Sequence, residues 1–189
     1  FAPLTDLAAW RAVSNDKTRL LYLETQSNHL CRFADVAAFA ALASDTGAKL
    51  MVDNCFCTPA LQTPLSFGAD LVIHSATKYI DGQGRCLGGA VVGGAEDMAA
   101  VRAFLRTCGP TMSAFNAWVF LKGLETLSLR MHKHSENALE IAQWLTEQPE
   151  VVQVNYTGLE SHPDHLLAKR QQSAFGGVLS FAVRGGREE

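Results

Sequence analysis

The chain lacks both an excess of positive charge and any long apolar run. Lys and Arg number 16 against 19 Asp and Glu, which gives a net charge of −3 over 189 residues. Without a cluster of Lys and Arg, the sequence lacks the charge that nucleic-acid binding requires, so we expect no nucleic-acid partner. Charged residues interrupt every apolar segment before it reaches the roughly 20 residues of a membrane span, so we expect no membrane partner.

The sequence also lacks an initiator methionine. Its first residues, Phe-Ala-Pro-Leu, do not form the basic and then apolar pattern of a signal peptide. We therefore expect the chain to be an internal portion of a longer polypeptide. Its cysteines, at positions 31, 55, 57, 86 and 108, are odd in number and unevenly spaced. This pattern argues against a disulfide framework and favours a reduced, cytoplasmic protein.

Short apolar, β-rich segments alternate with longer helical patterns along most of the chain. This alternation predicts an α/β fold, in which helices join strands of a mostly parallel sheet. The predicted strands cover residues 19–24, 49–53, 69–74 and 88–92, and the predicted helices cover 35–46, 96–106 and about 113–147. The first two strands and the helix between them predict a parallel βαβ unit that is buried on both faces.

Small and polar residues mark the helices. Gly47 follows the first helix and predicts a left-handed C-terminal cap. Ser113 is a good N-cap for the long helix. Gly123 lies inside the long helix, where glycine costs roughly 1 kcal/mol relative to alanine, so we expect a bend or a tight contact there.

The pattern changes after Pro149. Two strand-like segments, 151–156 and 177–183, follow the long helix and are separated by a polar stretch. This change predicts a division of the chain into two parts. We expect residues 149–189 to be the start of a second, truncated domain. Counted with the linking helix that leads into it, the second part covers residues 129–189, the start of a smaller α+β domain, and residues 1–128 form an incomplete large domain.

Polar residues lie at or just beyond the carboxyl ends of three predicted strands. They are Asn28, Asp53, and the group of Ser75, Thr77 and Lys78. In open parallel sheets the ligand crevice lies outside these ends, so neighbouring strands would bring the five residues together. The spacing of 25 residues from Asn28 to Asp53, and again from Asp53 to Lys78, is about one strand–helix repeat.

Each of these residue types has a chemical and a structural interpretation. A buried Lys with a lowered pKa is a nucleophile that bonds covalently to an aldehyde, and Asp keeps a pyridine nitrogen protonated. Hydroxyls donate to phosphate oxygens, and an Asn amide donates to a phenolate. Each residue also has a structural explanation when it is taken singly. Lys is common on protein surfaces, Asp is common in turns, and Ser and Thr hydroxyls commonly form hydrogen bonds to the local backbone. The residue types alone leave both interpretations open.

Three segments carry a resemblance to a known family. They are residues 52–59 (Val-Asp-Asn-Cys-Phe-Cys-Thr-Pro), 68–70 (Gly-Ala-Asp) and 74–79 (His-Ser-Ala-Thr-Lys-Tyr), the last followed by Gly88 and Gly89. Together they resemble the signature of the Cys/Met-metabolism enzymes, a trans-sulfuration family that depends on pyridoxal phosphate (PLP). The resemblance covers almost the whole chain. It implies that residues 1–128 are part of the PLP-binding large domain of a fold type I enzyme.

The resemblance also implies a role for each of the five polar residues. Lys78 would be the catalytic residue, binding PLP covalently and later moving protons. Asp53 would pair with the pyridinium nitrogen, and Asn28 would donate to the phenolate oxygen of the ring. Ser75 and Thr77 would bind the phosphate.

Within the family, residues 79–89 are most similar to the O-succinylhomoserine sulfhydrylases. The synthases and lyases tend to have Gly-His where this chain has Gly82 and Gln83. The implied reaction is a γ-replacement of methionine biosynthesis, in which O-succinylhomoserine and sulfide give homocysteine and succinate. The implied partners are the amino-acid substrate, sulfide and further copies of the chain, in a dimer or homotetramer. Cystathionine γ-synthase and cystathionine or methionine lyase remain alternatives.

The chain departs from the family pattern in the loop at residues 24–29. Gln26 and His29 replace prolines, and the loss of rigid prolines predicts a looser placement of Asn28. The family's ring-stacking Tyr, its glycine-rich phosphate loop and the residues lent by a neighbouring subunit lie upstream of this sequence, and its carboxylate-binding Arg lies downstream. An inactive fragment with a folding or subunit-interaction role is therefore the alternative from another class.

Two other patterns favour incidental explanations. Cys55 and Cys57 form a Cys-x-Cys pair, but zinc usually takes four ligands and no second pair exists, so we expect no metal site. Gly82 and Gly84 lack the third glycine and the helix of a dinucleotide-binding fingerprint. A nucleotide-binding domain is therefore only a third alternative.

Overall fold

A four-stranded sheet forms the centre of the molecule. The computed structural model describes residues 1–185. The sheet contains β1 (Leu20–Glu24), β2 (Lys49–Asp53), β3 (Leu71–Ser75) and β4 (Gly89–Gly93), in that spatial order. The first three strands are parallel neighbours, and β4 is antiparallel to β3. The predicted α/β fold with a mostly parallel sheet is confirmed.

Helices flank and connect these strands. They are α1 (Leu7–Val13), α2 (Val36–Thr46), α3 (Thr58–Leu61), α4 (Ala95–Cys108), α5 (Ala114–Thr146) and α6 (His165–Gln171), with a 3₁₀ helix at Pro64–Phe67. The helices predicted at 35–46, 96–106 and 113–147 are confirmed to within two residues at either end. The short helices α1, α3 and α6 were not predicted, because seven residues or fewer show too little periodicity.

Capping interactions explain why α2 and α5 begin and end close to the predicted residues. Gly47 ends α2 with a φ of 67°, the left-handed conformation in which glycine has no steric penalty. The Asp35 side chain accepts a hydrogen bond from Ala38 N at the start of the same helix (3.1 Å). The Ser113 hydroxyl likewise accepts one from Asn116 N at the start of α5 (3.1 Å). Each cap satisfies a backbone group that the helix itself leaves unpaired.

The main core lies between α2 and one face of the sheet. Leu21 and Leu23 of β1 are buried there with side chains of β2 and α2. On the other face, Leu20 and Tyr22 are each 45% exposed. The prediction that the βαβ unit is buried on both faces is therefore wrong for β1. Its side chains alternate between the two faces, and within residues 1–185 only one face of this strand is covered by helices.

Helix α5 makes the tight contact that Gly123 predicts. A Cβ atom added at Gly123 would lie 1.9 Å from the carbonyl oxygen of Ile80, which is closer than any packing allows. Glycine therefore lets the helix touch the backbone of the segment that follows β3.

The last part of the described chain packs against α5 and against the segments that follow β1 and β2. Its strands β5 (Val151–Asn155) and β6 (Ser180–Val183) are antiparallel. The buried Tyr156 hydroxyl donates to the carbonyls of Ser135 (3.2 Å) and Gly176 (2.9 Å). The domain boundary predicted after residue 128 lies inside the continuous helix α5 and stays a prediction; residues 186–189 of the predicted second part lie outside the described residues. No helix within residues 1–185 has the length and apolarity needed to cross a membrane.

Candidate active site

A cleft opens at the carboxyl ends of β1, β2 and β3. Asp53 is the last residue of β2 and Ser75 the last of β3, and the register pairs Asp53 with Glu24 and Ile73. The cleft has a volume of about 130 Å³ and is lined by Glu24, Thr25, Gln26, Asn28, Asp53, Cys55, Phe56, Ser75 and Lys78. Four of the five predicted site residues, Asn28, Asp53, Ser75 and Lys78, are therefore brought together.

The carboxylate of Asp53 is held by two hydrogen bonds. Its Oδ1 accepts from Cys55 N (3.0 Å), and its Oδ2 accepts from the Tyr22 hydroxyl (3.0 Å). These contacts fix the orientation of the carboxylate at the sheet edge. Burial and the nearby Asp53 charge raise the pKa of the Tyr22 phenol well above its ordinary value, so the phenol keeps its proton and continues to donate.

Glu24 is a second carboxyl group in the same cleft. Burial and the nearby Asp53 charge raise the pKa of Glu24 above its ordinary value. Strand register explains the proximity, because Glu24 and Asp53 are direct neighbours on the parallel strands β1 and β2. The edge of the sheet therefore holds two acidic groups within one small cleft.

The thiol of Cys55 lies between Asp53 and Ser75. Its Sγ accepts a hydrogen bond from Ser75 N (2.6 Å). Burial, with a hydrogen bond to Asp53, raises the pKa of Cys55 to about 12, so the group is a neutral thiol at neutral pH. Within residues 1–185, no group of three or more His, Cys, Asp and Glu side chains could hold a metal ion.

Lys78 lies in the turn that follows β3. Its backbone N donates to Ser75 O (3.1 Å), and its carbonyl accepts from Gly82 N (2.8 Å). The residue is exposed, which differs from the buried lysine that the chemical interpretation assumed. Lys78 lines the Asp53 cleft and also a second cavity of about 310 Å³, together with Phe56, Tyr79, Gly82, Gly84 and His134.

Thr77 does not line the cleft. Its hydroxyl accepts a hydrogen bond from Gly88 N (3.2 Å), just before β4 begins. The chain turns immediately after Ser75, so the two hydroxyls that are close in sequence lie on different sides of the turn. Thr77 as a phosphate-binding residue stays a prediction.

The loop that carries Asn28 is held by several contacts despite its missing prolines. The buried Gln26 side chain donates to Val178 O (3.3 Å), and Ser27 N donates to Arg32 O (2.9 Å). The carbonyl of His29 accepts from the Ser180 hydroxyl. Asn28 itself is exposed at the rim of the cleft. The Gln26 side chain therefore supplies a bond that a proline could not make, whereas His29 contributes only its backbone carbonyl.

Among the residues around Asp53 that were not predicted as site residues are Tyr22, Glu24 and Cys55. Tyr22 and Glu24 alternate with the buried Leu21 and Leu23 along β1. This alternation indicates that Tyr22 and Glu24 lie on the other face of the strand. Nothing in the sequence shows which β2 residue they meet, because that depends on register. Cys55 was considered only as a metal ligand.

The mostly parallel sheet and its flanking helices have the architecture of fold type I enzymes that depend on pyridoxal phosphate. More specifically, the chain belongs to the family described as Cys/Met metabolism PLP-dependent enzymes, whose model matches residues 1–189. The cofactor of this family is pyridoxal phosphate.

Similar proteins come from several branches of this family. An O-succinylhomoserine sulfhydrylase of Pseudomonas aeruginosa is 60% identical over 188 residues, which is 100% of this chain and 47% of that protein. A cystathionine gamma-synthase of Mycobacterium tuberculosis is 46% identical over 185 residues, or 97% of this chain and 48% of that protein. The chain therefore spans about half the length of the curated relatives it matches.

Solved structures agree with these relatives. A cystathionine gamma synthase from Xanthomonas oryzae pv. oryzae, in complex with cystathionine, matches 98% of this chain and 48% of its own chain, with a TM-score of 0.93 and 45% identity. A methionine gamma lyase from Micromonospora echinospora matches 98% of this chain and 52% of its own, with a TM-score of 0.94 and 40% identity. The chain is thus similar to PLP-dependent trans-sulfuration enzymes.

Proposed function

We propose that the protein of which this chain is part exchanges the γ-substituent of an O-acylhomoserine for sulfur, with O-succinylhomoserine and sulfide as substrates and homocysteine and succinate as products. The observation that carries the proposal is the cleft that Lys78 and Asp53 both line. The choice of substrates is supported by the 60% identity to an O-succinylhomoserine sulfhydrylase. The chain would act in methionine biosynthesis.

The donor set of the cleft fits pyridoxal phosphate. Asp53 offers a carboxylate to a pyridinium nitrogen, Asn28 an amide to a phenolate, and Ser75 a hydroxyl to a phosphate. Thr77 is proposed as a second phosphate-binding residue. Bound PLP supplies an electron sink that stabilises negative charge at carbon atoms of the amino-acid substrate.

Lys78 carries the reactive amine of the site. Its side chain reaches the same cleft as Asp53, so the amine can bond covalently to the aldehyde of the cofactor. With PLP bound, the Lys78 amine would take a proton from Cα of the substrate and deliver protons at neighbouring carbons. A flexible four-carbon side chain at the border of two cavities suits movement between adjacent carbon atoms.

The proposal extends to partners, location and domain organisation. We expect a homo-oligomer, either a dimer or a homotetramer, in the cytoplasm. Free thiols at all five cysteines are consistent with a reducing compartment. We also propose that residues 1–128 belong to the PLP-binding large domain and residues 129–189 to a linking helix and a smaller domain.

A second candidate function is cystathionine γ-synthase activity. It is favoured by the 46% identity to a cystathionine gamma-synthase and by the structural match to another. In that reaction cysteine replaces sulfide as the sulfur donor. The inactive-fragment alternative predicts neither reaction.

The cofactor is tested with the full polypeptide that contains this chain. We expect an absorption band near the visible edge after PLP is added, and a borohydride-reducible adduct that mass spectrometry locates on Lys78. Lys78→Ala should abolish the adduct, whereas Lys17→Ala, a change at an exposed lysine, should retain it. Absence of any adduct in the unaltered protein would support the inactive-fragment alternative.

The substrates are tested with the same protein. Release of succinate or acetate is measured with the succinyl and acetyl esters of homoserine, each with sulfide or cysteine, and the sulfur product is identified as homocysteine with sulfide or cystathionine with cysteine. The highest kcat/KM is expected for O-succinylhomoserine with sulfide. A preference for cysteine would instead identify a cystathionine synthase.

A further inference from the structure

The turn that carries Lys78 has few contacts of its own with the cleft. Within the turn, Asp81 N donates to Ala76 O and Gly82 N to Lys78 O, each at 2.8 Å. These bonds give the turn its shape, but they do not fix its position relative to the rest of the molecule. Ala76 N and Thr77 N donate to Gly88 O (2.9 and 3.4 Å), which attaches the start of the turn to the segment before β4, and α5 contacts the rest of the turn.

Arg130 of α5 is the main polar contact between the helix and this turn. Its Nη1 donates to Tyr79 O and its Nη2 to Gly123 O, each at 2.8 Å, and its Nε donates to the Thr126 hydroxyl (3.1 Å). All three guanidinium nitrogens are therefore bonded, and the plane of the group is fixed. Tyr79 directly follows Lys78, so the bonded carbonyl is one residue from the reactive side chain.

Two glycines lie close to the Arg130 side chain. Gly82 has a φ of 75°, and a Cβ added there would lie 2.3 Å from Arg130 Nη1. On α5, the closeness of Gly123 to Ile80 O places the helix directly against the same turn. The guanidinium thus fills the space between the two glycines.

We propose that Arg130 is a positioning residue for Lys78: by holding Tyr79 O against α5, it sets the point from which the Lys78 amine enters the Asp53 cleft. Arg130 does not line that cleft and would not contact the cofactor. Its effect is therefore on the rate at which Lys78 reacts, and not on the binding of the rest of the cofactor. This inference rests on the proposed function of Lys78.

The test compares covalent with non-covalent binding in the full polypeptide. PLP reports adduct formation through its absorption band in stopped flow. Pyridoxine phosphate lacks the aldehyde, so it reports binding in the cleft without Lys78 chemistry. In Arg130→Met we expect adduct formation to slow about ten- to a hundredfold, while the Kd of pyridoxine phosphate stays within about twofold of the unaltered value. Arg106→Met, at an exposed arginine of α4, is the matched control and should change neither quantity.

Arg130→Lys keeps one donor and the charge, so its rate of adduct formation should lie between those of the unaltered protein and Arg130→Met. If Arg130→Met does not fold, the proposal is tested with Arg130→Lys alone. Slower adduct formation at unchanged pyridoxine phosphate affinity supports the proposal. An unchanged rate, or an equal loss in both measurements, overturns it, since equal loss is what general damage to the structure would cause. If the unaltered protein forms no adduct, the proposed function itself fails.

Discussion

The hydroxyl of Tyr22 donates a 3.0 Å hydrogen bond to Oδ2 of Asp53 and so joins adjacent strands at the edge of the cleft. Neither residue is near the other in sequence. The bond uses a carboxylate oxygen of the residue that we propose to pair with the cofactor ring nitrogen. Tyr22 therefore holds the Asp53 carboxylate in a fixed orientation at the edge of the cleft.

Tyr22→Phe should remove this bond and leave the packing of the ring unchanged. We expect a loss of about 1 kcal/mol in the free energy of unfolding at pH 7, the usual value for one hydrogen bond that is partly exposed. Burial and Asp53 raise the pKa of Tyr22, so its contribution is present below the ordinary value of 10.0 and is lost as pH rises above it.

Urea unfolding at pH 7 and at pH 10.5 measures both effects. The unaltered protein should lose more stability than Tyr22→Phe between these two pH values. The other tyrosines are common to both proteins and cancel in the comparison. Equal losses in the two proteins would contradict the bond as described.

The cysteines should differ strongly in reactivity. The pKa of Cys55 is raised to about 12 and that of Cys57 to about 11, in both cases mainly by burial. Because the thiolate is the reactive form, only about one Cys55 side chain in ten thousand is reactive at pH 8. Iodoacetamide should therefore modify the exposed Cys108 first. Peptide mass mapping over time measures the order, and early modification of Cys55 would contradict the prediction.

Features that depend on local chemistry could be predicted from the sequence. The ends of α2 and α5 follow from Gly47 and Ser113, which act on backbone groups within a few residues. Asp53 and Ser75 could be placed at strand ends because the apolar segments stop there. The sheet topology then brings them together without further information.

Features that depend on register or on turn geometry could not be predicted. Tyr22 reaches Asp53 only because β1 and β2 pair in one particular register, which no local pattern encodes. The Thr77 hydroxyl faces Gly88 because the chain reverses after Ser75, and sequence spacing alone grouped the two hydroxyls. Arg130 lies 52 residues from Lys78, so its contact with the turn required the structure.

Gly123→Ala tests the contact between α5 and the Lys78 turn. Alanine favours a helix over glycine by about 1 kcal/mol, but the added methyl would lie 1.9 Å from Ile80 O. We expect the overlap to dominate, with a net loss of about 2 kcal/mol in unfolding free energy and slower adduct formation at Lys78. Gly94→Ala, where the methyl meets nothing within 4 Å, is the control. A stabilised Gly123→Ala protein would contradict the close contact.

Asp164 ties the last part of the described chain to the segment after β1. Its carboxylate accepts from Arg32 Nε (2.6 Å), Arg32 Nη2 (3.2 Å) and Phe33 N (2.9 Å). Burial alone would raise the pKa of Asp164, but the hydrogen bonds from Arg32 and Phe33 outweigh it and lower the pKa below the usual 3.8. The ionised carboxylate therefore stabilises the folded protein above that pH, and the contribution is lost as pH falls below it.

Asp164→Asn should lower the free energy of unfolding at pH 7 by about 1.5 kcal/mol, near the low end for charged hydrogen bonds because solvent screens the partly exposed Arg32. At pH 3 the difference from the unaltered protein should shrink, since the unaltered carboxylate begins to take up a proton there. Asp45→Asn is the matched control: Asp45 pairs with Arg11 at 2.7 Å, but both side chains are more than half exposed. This surface pair should contribute only about 0.5 kcal/mol. Equal losses for the two variants, or a pH-independent loss for Asp164→Asn, would show that the ion pair of Arg32 and Asp164 does not stabilise this junction.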